Sequence, residues 1–151
     1  MLPKPQVPTM ATAWLPNRRE NPRRTVRVFI VEDSPLVRDR LVEVLSSLKY
    51  VKLVGHAGGV RDALEWIPIA RPHVVLLDLG LPDGSGLNVL KVLQGLDPPP
   101  AVAIITNYAT ASLRKRCLAA GADVFLDKSL EFHRIPDVLE DLARSLDESS
   151  Y

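Results

Sequence analysis

Five short runs of β-branched and aliphatic residues recur along the chain, at 26–31, 51–56, 74–78, 101–106 and 123–127. Each is nearly unbroken in apolar character. A strand with one wet face alternates apolar with polar positions, so continuous runs of this length predict strands covered on both faces, as in parallel sheets. The intervening segments carry helical spacing. Ser34 as N-cap and Pro35 at the first helical position precede Val37, Leu41, Val44, Leu45 and Leu48, which share one face. A second helix, about 60–70, contains Pro68, which should kink it or end it before the Arg71-Pro72 turn. A third spans about 87–96, between Gly84-Ser85-Gly86 and Pro98-Pro99-Pro100. A fourth covers roughly 111–120 and stops at Gly121, a natural left-handed cap. A fifth, about 131–146, buries Ile135, Val138, Leu139, Leu142 and Leu146, with Pro136 tolerable in its first turn. Strand followed by helix, five times over, predicts right-handed crossovers and a doubly wound α/β fold. Its five-stranded parallel sheet forms the middle of a three-layer α/β/α sandwich, with the first strand central.

The length of 151 residues suits one domain, and 46% hydrophobic with 25% charged residues is ordinary for a globular protein. Charge is uneven. Residues 1–25 hold Lys4, Arg18, Arg19, Arg23 and Arg24 against Glu20, or +4, which leaves −3 for the rest of a chain whose total is +1. That head also carries five prolines and no apolar periodicity, so it reads as a disordered extension before a domain at 26–146 and a tail at 147–151. Five dispersed basic residues are few for a nucleic-acid arm or a membrane contact. No apolar stretch has the length of a signal-peptide core or a membrane span. A lone cysteine, Cys117, excludes an internal disulfide and fits a reducing cytoplasm; its helical spacing suits a buried apolar role.

The runs end in chemistry. Glu32 and Asp33 follow the first, Asp78 the third; Thr106 closes the fourth and Lys128 the fifth. In an open parallel sheet these carboxyl ends lie side by side at the edge that holds active sites. Magnesium takes oxygen ligands in octahedral geometry, usually one or two carboxylates with a phosphate and waters. Asp33 and Asp78 can supply the carboxylates, Glu32 can help through a water, and a main-chain carbonyl just after Asp78 can complete the set. An ionised aspartate can attack phosphorus when cations neutralise the transferring oxygens. Asp78 is the expected nucleophile because it leads into the flexible loop 79–86. Lys128 would offer a point charge and Thr106 a hydroxyl donor to the phosphoryl oxygens. Each residue alone has a blander reading: helix cap for Asp33, β-former for Thr106, solvated surface charge for Lys128. The joint arrangement carries the weight. His56, His73 and His133 show no ligand spacing, and Gly84-Ser85-Gly86 lacks the lysine and hydroxyl of a phosphate-cradling P-loop.

Taken together, Glu32-Asp33, the segment Val-Leu-Leu-Asp78-Leu-Gly-Leu-Pro-Asp-Gly-Ser-Gly, Thr106, Ala-Ala-Gly-Ala-Asp123 and Phe125-Leu-Asp-Lys128-Ser resemble the receiver domain of two-component response regulators over about 26–146. The resemblance implies a flavodoxin-like strand order 2-1-3-4-5. It also implies a cytoplasmic phosphoprotein, not a conventional enzyme, that takes a phosphoryl group from a sensor histidine kinase or histidine phosphotransfer protein with Mg2+ and later hydrolyses it. Asp78 would be the acceptor, Asp33 a direct metal ligand, Glu32 a ligand mainly through water, and the Gly80 carbonyl the third protein ligand. Thr106 would move toward the phosphoryl group. Phe125 would turn inward to report that movement on the face of helix 4, strand 5 and helix 5, which would then regulate a downstream protein target or relay phosphate.

Some positions depart from the common pattern. Ser129 stands where many receivers have a cis-proline, and since a cis bond before serine costs about 2.5 to 4 kcal/mol the isomer of Lys128-Ser129 stays open. Gly80 leaves no side chain beside the path of an attacking water. Asn107 and Tyr108 follow Thr106 in place of the small residue often found first, which would narrow access. Only 147–151 follow the fifth helix, so the expectation is a stand-alone receiver. A homodimer through helix 4, strand 5 and helix 5 would pair Arg114, Lys115 and Arg116 with Glu140 and Asp141. The alternatives are a non-phosphorylated pseudo-receiver, a fragment of a longer DNA-binding regulator, and an aspartate-nucleophile phosphatase of the haloacid dehalogenase type. The last wants an aspartate where Gly80 stands.

Overall fold

The computed structural model describes residues 24–149. The expected extension, up to residue 23, lies outside them, as do the last two residues of the expected tail. Strands β1 (Val26–Val31), β2 (Val51–Ala57), β3 (Val74–Leu77), β6 (Ala101–Thr106) and β7 (Val124–Asp127) form one sheet in the order β2-β1-β3-β6-β7. All its pairings are parallel. Counting the five strands of this sheet alone, the order is the expected 2-1-3-4-5. Helices α1 (Pro35–Ser46), α2 (Val60–Ala70), α3 (Gly86–Leu93), α4 (Ala111–Ala119) and α5 (Ile135–Ser149) provide the crossovers.

Successive strand residues point to opposite faces, and the continuous apolar runs therefore feed two cores. Phe29, Val31, Val75, Leu77 and Ile104 pack with Ile67, Leu90 and Cys117 from α2, α3 and α4. Val28, Ile30, Leu76 and Ile105 pack with Leu41, Leu45 and Leu139 from α1 and α5. Each such aliphatic side chain contributes about 1.5 to 3 kcal/mol by leaving water. Cys117 is fully buried, as its spacing predicts, and burial pushes its thiol up. The β1–β2 register slips between Val28 and Phe29. Opposite the slip, a Cβ on Gly55 would sit 2.7 Å from the Phe29 ring, so glycine leaves the room that ring occupies beside β2.

Helix α2 keeps its expected span and ends before the Arg71-Pro72 turn, two residues past Pro68, because a proline this near the end costs only one backbone bond while Ala63 and Ile67 anchor the helix in the core; Arg71 closes it at φ 51°. Elsewhere, local deviations from the expected elements have identifiable causes. Helix α3 ends at Leu93, three residues early, where Gly95 and Leu96 donate to Val92 and Leu93 in tighter i→i+3 bonds. The fifth helix opens as a 3-10 turn, Phe132–Arg134: Pro136 has no N–H for the Phe132 carbonyl, and Ile135 donates to it instead. It then continues to Ser149, past the expected end at 146. The loop after Asp78 is not featureless: Gly80–Leu81 (β4) and Gly84–Ser85 (β5) form a two-residue antiparallel ladder.

Candidate functional site

Register assembles the site. Val31 pairs with Leu77, which puts the residues after β1 level with Asp78, and the Asp78 N–H donates to the Val31 carbonyl at 3.0 Å. Thr106 pairs with Asp127, and the Lys128 N–H donates to the Thr106 carbonyl at 2.8 Å. Asp78, Glu32 and Thr106 are the buried polar residues among those described, at 7%, 2% and 0% exposure. The Lys128 ammonium, itself largely buried, reaches back to bond Glu32 Oε1 at 2.8 Å and Asp78 Oδ2 at 3.1 Å. The sequence-predicted carboxylates and lysine thus meet, and Thr106 lies at the same sheet edge.

The caps leave Asp33 free for other work. Ser34 is the N-cap of α1, its Oγ accepting from the Val37 N–H at 3.3 Å, while its own N–H donates to Glu32 Oε2 at 3.1 Å. Asp33 is exposed and its carboxylate accepts no hydrogen bond from the described residues. The blander reading of Asp33 as a helix cap therefore fails. Carboxylate oxygens of Glu32, Asp33 and Asp78 lie within 4.8 Å of one another. With oxygen donors alone and no thiolate or imidazole in the cluster, the set fits a hard divalent cation.

Burial pushes the Glu32 carboxyl above its usual range, against the opposing pull of the Lys128 ammonium and the Ser34 N–H. Burial pulls the Lys128 ammonium down, but the Glu32 hydrogen bond and the Asp78 charge outweigh it and leave the amine above its ordinary value. The cluster is therefore arranged around a held cation at Lys128, with one partnerless carboxylate facing water.

The remaining predicted residues fall around this core. The Gly80 N–H donates to Asp78 Oδ1 at 3.4 Å. Thr106 Oγ1 accepts from the Tyr108 N–H at 3.2 Å. Phe125 is buried and inward; the Arg114 guanidinium donates to its carbonyl at 3.1 Å and lies 5.9 Å from its ring centroid. The Lys128-Ser129 peptide is trans, since Asp97-Pro98 is the cis bond among the described residues. Ser129 instead ties the two loops by donating from Oγ to Asn107 Oδ1 at 3.2 Å. Sequence reading missed this tie, the Tyr108 ring 3.1 Å from where a Gly80 Cβ would stand, and the use of Asp83 described below. The Asp83-Gly84 pair signals a turn, but nothing local announces its partner in α2.

A family model described as the response regulator receiver domain matches residues 28–140. The DNA-binding transcriptional activator DevR/DosR of Mycobacterium tuberculosis is 32% identical over 117 residues, 78% of this chain and 54% of that protein. A protein-glutamate methylesterase/protein-glutamine glutaminase of Carboxydothermus hydrogenoformans is 34% identical over 118 residues, 76% of this chain and 34% of that protein. The chain thus spans between about a third and about half the length of these relatives. Among solved structures, the signal receiver domain of NarL from Mycobacterium tuberculosis superposes with a TM-score of 0.74 at 31% identity, covering 80% of this chain and 98% of that one. The response regulator domain of Thermotoga maritima CheB gives 0.69 at 27% identity, covering 80% and 96%. With the family's model covering the sheet, the crossover helices and the acidic edge alike, the chain belongs to the response regulator receiver domain family of two-component signalling.

Proposed function

We propose that Asp78 accepts a phosphoryl group from a phosphohistidine on a sensor kinase or phosphotransfer protein, with Mg2+ held by Asp33, Asp78, the Gly80 carbonyl and, through water, Glu32. The observation that carries this reading is the Lys128 ammonium bonded at once to Glu32 and Asp78, beside the unpartnered carboxylate of Asp33. That arrangement sets one ammonium against two buried acids and leaves a third carboxylate open for a metal.

The chemistry is a displacement at phosphorus. An Asp78 carboxylate oxygen attacks, the P–N bond to the donor imidazole breaks, and the ring, carrying a proton on its other nitrogen, leaves as neutral imidazole. When bound, the cation neutralises charge on the phosphoryl oxygens. Lys128 releases its bond to Asp78 and contributes its charge to one of those oxygens, and the Thr106 hydroxyl donates to another. Hydrolysis follows when water attacks the same phosphorus and the P–O bond to Asp78 breaks, returning carboxylate and inorganic phosphate. The protein thereby catalyses only its own phosphorylation and dephosphorylation.

The signal leaves through residues 26–146, taken as the receiver unit, in a cytoplasmic setting; no helix among the described residues is long and apolar enough to cross a membrane. Contacts of Thr106 with the phosphoryl group favour one of two packings, and Phe125 reads them out on the α4–β7–α5 face, which regulates a protein target or relays phosphate. Two of the charges expected to pair across a homodimer on this face already have partners within the chain: Arg114 with the Phe125 carbonyl and Glu140 with Arg144 at 3.0 Å. A dimer there would rest on Lys115, Arg116 and Asp141.

Incubation with Mg2+ and a small phosphodonor tests the acceptor. An acid-stable, hydroxylamine-labile adduct that disappears in Asp78→Asn supports it, and a protein that never becomes labelled is a pseudo-receiver.

A further inference from the structure

Helix α2 begins after Gly59, which has no side chain to cap the free N–H groups of the first turn. The missing acceptor comes from the acceptor loop. Asp83, at the turn between β4 and β5, accepts from the Val60 N–H at 2.7 Å through Oδ1 and from the Arg61 N–H at 3.1 Å through Oδ2. Both sides of this contact are trimmed to backbone. A Cβ on Gly59 would sit 2.6 Å from Asp83 Oδ1, and one on Gly84, at φ +154°, would sit 3.2 Å from Val60 Cγ2. The backbone N–H groups of Arg61 and Val60 hold the Asp83 carboxyl below the usual carboxylate range, as expected for an anion at a helix start.

The hairpin that Asp83 terminates has two ladder pairs, Gly80 with Ser85 and Leu81 with Gly84. A ribbon that short does not hold itself in water. Its near end is fixed where Gly86 donates to the Leu79 carbonyl at 2.9 Å, and its tip is fixed by Asp83. Gly80 lies between these anchors. On the other side, a Cβ on Gly58 would lie 3.8 Å from the Asp33 Cα, so the loop leading into α2 abuts the acidic pair. One carboxylate therefore ties the segment after Asp78 to the segment beside Asp33.

We propose that Asp83 is a positioning residue: by strapping the β4–β5 hairpin to the start of α2, it sets where Gly80 stands relative to Asp33 and Asp78, and so the fit of the site for a divalent cation. Its consequence for the metal rests on the acceptor reading given above; the strap itself does not.

The test separates strapping from simple helix capping. In Asp83→Ala both are lost. In the double variant Gly59→Ser with Asp83→Ala, the serine occupies an extended N-cap position (φ −162°, ψ 175°) and can cap α2 itself, in the space the carboxylate has vacated, while the hairpin stays untied. Thermal melting, metal-free amide exchange at residues 80–85 and calorimetric titration with Mg2+ are measured on the full chain. The single variant should melt lower, exchange roughly 10-fold faster in the hairpin and bind Mg2+ about 10-fold more weakly. The double variant should recover its melting temperature but neither of the other two. Recovery of all three by the serine, or no change in exchange in the single variant, overturns the proposal. A wild-type protein that binds no Mg2+ counts against the acceptor reading, and the metal-free exchange still decides the strap.

Discussion

Glu32 and Lys128, 96 residues apart in sequence, form an ion pair at 2.8 Å with side chains only 3% and 10% exposed. The same ammonium bonds Asp78 at 3.1 Å, so one positive charge stands against two buried acids, with the Asp33 carboxylate close by. In a site of this polarity the lysine does structural work before any phosphoryl group arrives.

Lys128→Met should therefore destabilise the metal-free protein at neutral pH by about 3 kcal/mol, because it leaves buried carboxylates uncompensated. Glu32 has its folded pKa raised, so the stability it contributes is fully present below its unfolded value and is lost as pH rises through the folded one. Removing the ammonium that opposes this shift should steepen that loss. Urea unfolding of the variant between pH 4 and 8 should show falling stability with rising pH, and Mg2+ should stabilise the variant more than the parent. A variant as stable as the parent in metal-free buffer would remove the lysine from this role.

Gly86→Ala should be among the most damaging single changes in the chain. Its Cβ would stand 2.1 Å from the Asp78 carbonyl oxygen and 2.9 Å from the Leu79 Cα, and the obstacle is backbone that cannot rotate away. Overpacking of this kind costs about 3 kcal/mol. Denaturant melts should show that loss, and the phosphodonor adduct should fall with it because relief of the clash moves Asp78 itself. Wild-type stability in Gly86→Ala would mean that α3 can slide away from the acceptor segment at little cost.

Much of this was legible in sequence because the site is built from strand ends. The runs closing at Val31, Leu77, Thr106 and Asp127 mark those ends within a residue, and period-2 burial with parallel pairing then brings Glu32, Asp33, Asp78, Thr106 and Lys128 to one edge. What stayed hidden depends on contacts between loops, which carry no period. Asp83 reaches a helix 23 residues earlier, Ser129 finds Asn107, and Tyr108 leans over Gly80. The early end of α3 and the 3-10 opening of the last helix turn on single backbone bonds, finer than any hydrophobic pattern resolves.

Tyr50 sits at 9% exposure with a hydroxyl that has no hydrogen-bond partner among the described residues. Tyr50→Phe should raise stability at neutral pH by about 1 kcal/mol, the cost of a buried unpaired hydroxyl. Burial, together with the nearby Glu140 charge, pushes the phenol up to about 12. A raised folded pKa means that the stability it confers is complete below about pH 10 and is lost as pH climbs toward 12. The phenylalanine variant should therefore lose less stability than the parent in that alkaline window, since the raised titrations of Lys128 and Cys117 are common to both. Parallel pH profiles from chemical denaturation at pH 9 to 12 would count against this account of Tyr50.

Thr106 is fully buried with its Oγ1 accepting from the Tyr108 N–H, and Phe125 pairs through β7 with Ile104 of the same β6 strand. The proposed switch needs the hydroxyl to exchange that contact for a phosphoryl oxygen, and it needs Phe125 to feel the shift. Thr106→Ala separates these steps: Asp78, Lys128 and the acidic pair remain, so the phosphodonor adduct should still form, at a rate lowered by the loss of one donor. The chain has three phenylalanines, which makes aromatic NMR signals straightforward to assign. Phosphorylation should move the Phe125 ring signals in the parent and leave them in place in Thr106→Ala. Because Arg114 bonds the Phe125 carbonyl and lies over its ring, its guanidinium signals should move with the ring in the parent alone. If Phe125 responds equally in both proteins, the signal reaches the α4–β7–α5 face without Thr106, and the hydroxyl serves only the transfer step.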